Sequence, residues 1–144
     1  MPTMDFFTAM EISASGLAAE RTRMNVAASN LANAQTTQAA GGGPYRRRDV
    51  VLSAVDAPGA AGAPFAQAVR AVSVAQIAQD TAPPRLEYDP GHPQADAQGY
   101  VAYPNVNPVE EMVNMISASR SYQNNVEVMN TAKTLLLKTL QMGQ

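Results

Sequence analysis

Cysteine and tryptophan are absent, histidine occurs once, and only 15% of the 144 residues are charged. Without cysteine there are no disulfides, thiol nucleophiles or thiolate metal sites, and the redox compartment stays open. Aromatics make up 6% of the chain, so the 46% of hydrophobic residues is mostly Ala, Val, Met and Leu. That composition suits helix packing better than a thick mixed core. A net charge of −2 draws the chain neither to nucleic acid nor to an anionic membrane. No apolar run approaches the roughly 18 residues that span a bilayer, so no membrane insertion is expected. The first residues lack a basic segment followed by a continuous apolar stretch, which argues against a Sec-type signal. A route out of the cytoplasm would have to be a different one.

The helix breakers are unevenly placed. Nine of the ten prolines and seven of the nine glycines fall between Gly41 and Pro108, leaving two ends almost free of them. Three regions follow: an N-terminal helical arm over 1–35, an irregular, partly β centre over 36–106, and a C-terminal helical arm over 107–144.

In the first arm Met10, Leu17, Met24 and Leu31 recur by seven, as the seam of a coiled coil does. At about 1.5 Å per residue the helix would be roughly 40 Å long, with Gly16 a weak point inside it. The second arm has a sharp start: Asn107 as N-cap, Pro108 at the first helical position, and Glu110 placed for a capping box. Met115, Tyr122, Met129 and Leu136 again recur by seven, joined by Met112, Val126, Ala132 and Leu140. Lys133 and Lys138 suit the negative end of the helix dipole, and Gly143 is a C-terminal stop.

In the centre, 45–55 and 68–78 read as strands, with shorter ones at 86–88 and 100–103. Asp56 to Pro64 is an Ala/Gly/Pro loop, and Gly41-Gly42-Gly43-Pro44 a hinge-like stretch. The expected fold is mainly α with a small β-containing centre, its long N- and C-terminal helices paired as a coiled coil in an elongated subunit.

The outer faces of the arms carry little charge. Five of 29 positions are charged from Asp5 to Asn33, and six of 34 from Val109 to Met142, whereas a soluble surface runs to about 25–35%. Small uncharged side chains permit close approach on several sides, as in a helix pair packed against copies of itself or relatives. Ordering a backbone costs on the order of 1–2 kcal/mol per residue. One apolar row per arm offsets little more than that, at roughly 1.5–3 kcal/mol per buried Leu or Met. The arms are therefore expected to fray in the isolated chain and to fold on assembly.

Candidates for chemistry are few. His92 lies in Asp89-Pro-Gly-His-Pro93, which is turn chemistry; a small hydrolase using it would also need a nucleophile and an orienting acid. Asp89, Asp96, Glu110 and Glu111 match neither a calcium-loop nor a zinc spacing. Arg46-Arg47-Arg48 is short, is followed by Asp49 and lacks stacking aromatics beyond Tyr45. It reads as a solvated or interfacial edge, with no nucleic-acid partner. No catalytic residue, cofactor or metal is expected.

Several motifs match a family. Asn30-Leu31-Ala32-Asn33 resembles the Asn-Ile-Ala-Asn signature of the flagellar axial proteins, the rod, hook and hook-associated subunits. Gly42-Gly-Pro-Tyr-Arg-Arg-Arg-Asp49, Asp89-Pro-Gly-His-Pro93 and Gly99-Tyr-Val-Ala-Tyr-Pro-Asn-Val-Asn-Pro108 narrow the likeness. With Ser119-Arg-Ser-Tyr-Gln-Asn-Asn125 and Thr131-Ala-Lys-Thr-Leu135 they point to the proximal rod subunits of that family. The resemblance implies a non-enzymatic structural subunit of the drive shaft, exported by the flagellar type III apparatus and transmitting torque across the periplasm. Its terminal helices would form an inner coiled-coil layer of the rod. It implies as partners copies of the chain, other rod proteins and the export apparatus, with the membrane ring and rod-adaptor protein as candidates at the rod base.

The assembly interface would combine the heptad residues Met10, Leu17, Met24, Leu31, Met112, Met115, Tyr122, Val126, Met129, Leu136 and Leu140 with the motif residues. Of the latter, Asn30 and Asn33 would lock the first arm to its neighbours, while Arg120, Gln123 and Asn124 join Tyr122 in polar contacts. The alternatives are another axial subunit, or a secreted helical effector or chaperone-binding module.

Overall fold

The computed structural model describes residues 3–57 and 69–142. In chain order it contains α1 (Thr3–Ala32), β1 (Arg48–Asp56), β2 (Arg70–Gln79), β3 (Arg85–Tyr88), β4 (Tyr100–Tyr103) and α2 (Pro108–Met142). The uneven distribution of breakers explains this order: helices form at the ends and short strands in the Pro/Gly-rich middle. Among the described residues no helix is long and apolar enough to cross a membrane.

The chain divides into two compact units. One comprises residues 1–22, 51–76 and 117–144, the other 23–50 and 77–116. In the first, Ala57 and Ala71 are buried together with Ile12 packed on them. Ser15 joins α1 to β2, its Oγ donating to Ile12 O at 2.6 Å and accepting from Val72 N at 3.1 Å. In the second, Val101 is 1% exposed and Val106 7%.

The strands form two two-stranded sheets, β1–β2 and β3–β4. β-Branched residues (Val50, Val51, Val55; Val72, Val74, Ile77) favour the first pair. Arg47 O accepts from Asp80 N at 2.8 Å at one end of it, and Arg70 meets Asp56 at 3.2 Å at the other. In the second, antiparallel sheet Arg85 pairs with Tyr103, Leu86 with Ala102, Glu87 with Val101 and Tyr88 with Tyr100. Gly99 enters that sheet at φ 83°, where an added Cβ would lie 2.9 Å from Tyr88 Cε2. Both facts call for glycine.

The expected coiled coil of the two long helices is not what the chain forms. Two helices stand with two small antiparallel sheets, and the large heptad residues are not interlocked knobs. Met10, Leu17, Met24, Leu31, Met115, Tyr122, Met129 and Leu136 are only half-buried, while Met112, Val126 and Leu140 are exposed. The buried helix positions are instead small or polar: Ser13, Ala19, Ala27 and Asn30 on α1, and Glu111, Ala118 and Ala132 on α2. On α2 the inward row lies about 40° round the helix from the row read as the seam.

The reason is steric. Backbones come closest where side chains are smallest, and at Gly16 a Cβ would stand 2.8 Å from Asn125 Nδ2. Gly16 is thus a close-approach position rather than a weak point. The helix-rich character of the chain stands.

The cap at the start of α2 forms as its residues dictate. Asn107 Oδ1 accepts from Val109 N at 3.1 Å, and Asn107 O accepts from Glu111 N at 3.1 Å. Glu110, the candidate capping-box acid, is exposed. The next acid, Glu111, turns inward. Gly143 and most of the loop from Asp56 to Pro64 lie outside the described residues.

Candidate functional site

In the unit formed by 23–50 and 77–116, Asn30 and Glu111 are each 1% exposed. They anchor a polar lock. Asn30 Nδ2 donates to Glu111 Oε2 at 3.0 Å and to Arg48 O at 2.7 Å. Its Oδ1 accepts from Tyr45 OH and from Arg48 N, both at 3.0 Å. The Asn30 side chain is therefore saturated by four partners, the full capacity of an amide.

Glu111 Oε1 accepts from Arg47 Nε at 2.7 Å, an ion pair with side-chain exposures of 20% for Arg47 and 2% for Glu111. Burial works against the Arg47 charge most strongly, yet the hydrogen bond and charge of Glu111, with those of Asp49, outweigh it and raise the guanidinium above its ordinary value. Among the described residues no buried side-chain polar atom lacks a partner. The lock ties α1, the approach to β1 and the first turn of α2 together.

The Arg46-Arg47-Arg48 run alternates in exposure on the approach to β1: Arg46 and Arg48 are exposed and Arg47 turns in. Asn33 caps the end of α1 locally, donating from Nδ2 to Ser29 O at 2.9 Å and accepting from Thr36 Oγ1 at 3.2 Å. His92 Nδ1 accepts from Gln94 N at 3.1 Å, and its ring lies 6.3 Å from that of Tyr103. The imidazole is committed to its turn.

The expected interface residues are thus dispersed in depth. Asn30 is buried. Half-buried are Met10, Leu17, Met24, Leu31, Asn33, Met115, Tyr122, Met129 and Leu136. Exposed are Met112, Arg120, Gln123, Asn124, Val126 and Leu140. Seven further exposed apolar residues of α2, Val109, Val113, Ile116, Val128, Leu135, Leu137 and Met142, are absent from the sequence-based set. Spacing of i, i+3, i+4 and i+7 was available for 109, 112, 113 and 116, but the sevenfold recurrence masked it. Arg47, Tyr45 and Glu111 do not belong to that set either, since no local spacing reveals a side chain that turns inward.

Comparison with known proteins supplies the family. Residues 97–142 match the family model of the flagellar basal body rod FlgEFG protein C-terminal region. Residues 10–39 match that of the flagella basal body rod protein. The chain is 50% identical to the flagellar basal-body rod protein FlgC of Salmonella typhimurium over 141 residues, covering 98% of this chain and all of the relative. It is 40% identical to the FlgC proteins of Borreliella burgdorferi and Bacillus subtilis, each over 98% of this chain and at least 99% of the relative. Matched along nearly its whole length at these identities, the chain belongs to the FlgC family of flagellar basal-body rod proteins.

Proposed function

We propose that the terminal helices of this chain carry its contacts with neighbours in the rod. As a member of the family it is a structural subunit of the flagellar basal-body rod, where it assembles with other rod components. Its relatives are structural proteins, and the chain performs no catalysis. It leaves the cytoplasm through the flagellar type III apparatus and passes torque along the drive shaft. Of the sixteen residues from Met10 to Leu140 named above, all but the buried Asn30 contribute the interface, with copies of the chain and other rod proteins on the far side.

One observation carries this reading: large apolar residues along α2 stay open to solvent, with Val109 65%, Leu140 60% and Val113 59% exposed, as does Phe7 on α1, while the buried helix positions are small or polar. Such surface marks an interaction face. The test is Met129→Asp, assayed by basal-body purification and by export. Export should continue while the variant disappears from the rods. Normal swimming by that strain would overturn the proposed interface.

A further inference from the structure

Among the described residues β3 pairs with β4 alone, and all of its residues are exposed. The antiparallel ladder fixes which of its backbone groups are used. Asp89 N donates to Gly99 O at 3.0 Å, and these two stand opposite each other in the register that pairs Tyr88 with Tyr100. Alternation along the ladder then makes Glu87–Val101 and Arg85–Tyr103 the hydrogen-bonded pairs. The N–H and C=O groups of Leu86 and Tyr88 point the other way, along the outer edge of β3. On β4 the equivalent groups of Tyr100 are both engaged, the N–H by Asp96 Oδ1 and the C=O by Asp96 N, each at 2.9 Å. No such turn covers the edge of β3.

We propose that this edge pairs with β3 of a second copy of the chain, antiparallel about a two-fold axis at Leu86. Charge selects the register. With Leu86 opposite Leu86, Arg85 of each copy faces Glu87 of the other in the non-hydrogen-bonded positions, where side chains come closest. A two-residue slip, the smallest that keeps the backbone groups in phase, sets Arg85 against Arg85 or Glu87 against Glu87. Within one chain Arg85 and Glu87 meet only at 3.4 Å, with side chains 63 and 58% exposed, so both are accessible to a partner.

In this register the two Leu86 residues exchange both backbone bonds, and each Tyr88 N–H donates to Pro84 O of the other copy. The Leu86 side chains, 65% exposed in the single chain, meet across the axis. Pro84 has no N–H to return, and Pro83 and Pro90 bound the strand, so the ladder stops there. The contact is isologous and closes at two copies. It is a state of the free chain, independent of the rod-subunit reading. It covers an edge that would otherwise template pairing with any extended segment.

Sedimentation of the purified full-length chain over a concentration series tests the contact, with a monomer–dimer equilibrium as the expected result. Glu87→Arg and Arg85→Glu each set like charges opposite one another and should weaken the dimer by about tenfold. Combining the two substitutions restores unlike pairs and should restore the dimer, which a merely misfolded variant would not do. The chain has no cysteine, so oxidised Leu86→Cys reports the register without background. Opposed Cα atoms of a hydrogen-bonded pair lie about 5.5 Å apart, within disulfide reach, and a covalent dimer should form. Tyr88→Cys should not link to itself. A chain that stays monomeric at every concentration overturns the proposal. So does a dimer that Glu87→Arg leaves intact, which would place the contact on another surface, or an 88–88 disulfide without an 86–86 one.

Discussion

Two adjacent glutamates at the start of α2 allow a sharp test of the polar lock. Glu111→Ala removes both oxygens that serve Arg47 and Asn30, at 2.7 and 3.0 Å, from a side chain 2% exposed. Asn30 keeps Arg48 O as an acceptor, but Arg47 loses its principal counter-charge while remaining four-fifths covered. Removing one partner of a buried ion pair costs about 3–5 kcal/mol. Glu110→Ala alters an exposed neighbour and should stay within ~0.5 kcal/mol. Urea unfolding followed by tyrosine fluorescence is well placed to see the difference. Tyr45, Tyr88, Tyr100 and Tyr103 all lie in the unit that contains the lock, and only Tyr122 lies in the other. With a slope of ~2 kcal/mol/M, the Glu111 variant should lose about 2 M in midpoint. Equal midpoints for the two alanine variants would refute the claim that Glu111 holds this unit together.

Three further outcomes follow from the geometry. Gly16→Ala gains ~0.5–1 kcal/mol of helix propensity but pushes Asn125, whose Nδ2 would lie 2.8 Å from the new Cβ. It should be close to neutral alone and clearly stabilising in an Asn125→Ala background, read by thermal melts of all four combinations. Gly99→Ala forces a side chain into φ 83° and to 2.9 Å from Tyr88 Cε2. It should cost ~1–3 kcal/mol, and an unchanged unfolding midpoint would exclude strain at that corner. In the purified, unassembled chain, amide exchange should be fast along the arms and slow around Asn30 and Glu111. Uniform protection of both helices in a monomer would contradict folding on assembly.

Much of the architecture was legible because it rests on local rules. Breaker distribution located α1 and α2, and the cap at Asn107 predicted the start of α2 to within one residue. The strands read at 68–78 and 100–103 form at Arg70–Gln79 and Tyr100–Tyr103. Packing was not legible in the same way. Sevenfold recurrence of Met and Leu identifies a row on a helix, but which row turns inward depends on where two backbones can approach. Here Gly16, Ala118 and Ala132 decide that, and their small side chains give almost no hydrophobic signal. The lock was hidden for a related reason. Glu110 and Glu111 are chemically identical in the sequence, and only the partners Arg47 and Asn30, 64 and 81 residues away, distinguish them.

This division of labour has a physical logic. An interface of large apolar side chains gives affinity but tolerates slippage, since methionine and leucine repack readily. Buried hydrogen bonds with defined geometry tolerate little. The saturated amide of Asn30 and the Arg47–Glu111 pair lie inside the subunit at the first turn of α2, the turn that also carries the exposed Val109 and Met112. A lock of this geometry is expected to hold those apolar residues in one register rather than many. If that coupling is correct, disrupting the lock damages more than stability. Glu111→Ala should impair incorporation into rods even at temperatures where its tyrosine fluorescence remains native, whereas Gly99→Ala, which strains the β3–β4 corner against Tyr88 without removing a member of the lock, should incorporate normally once folded. Equal incorporation of the two folded variants would show that the lock contributes only to stability.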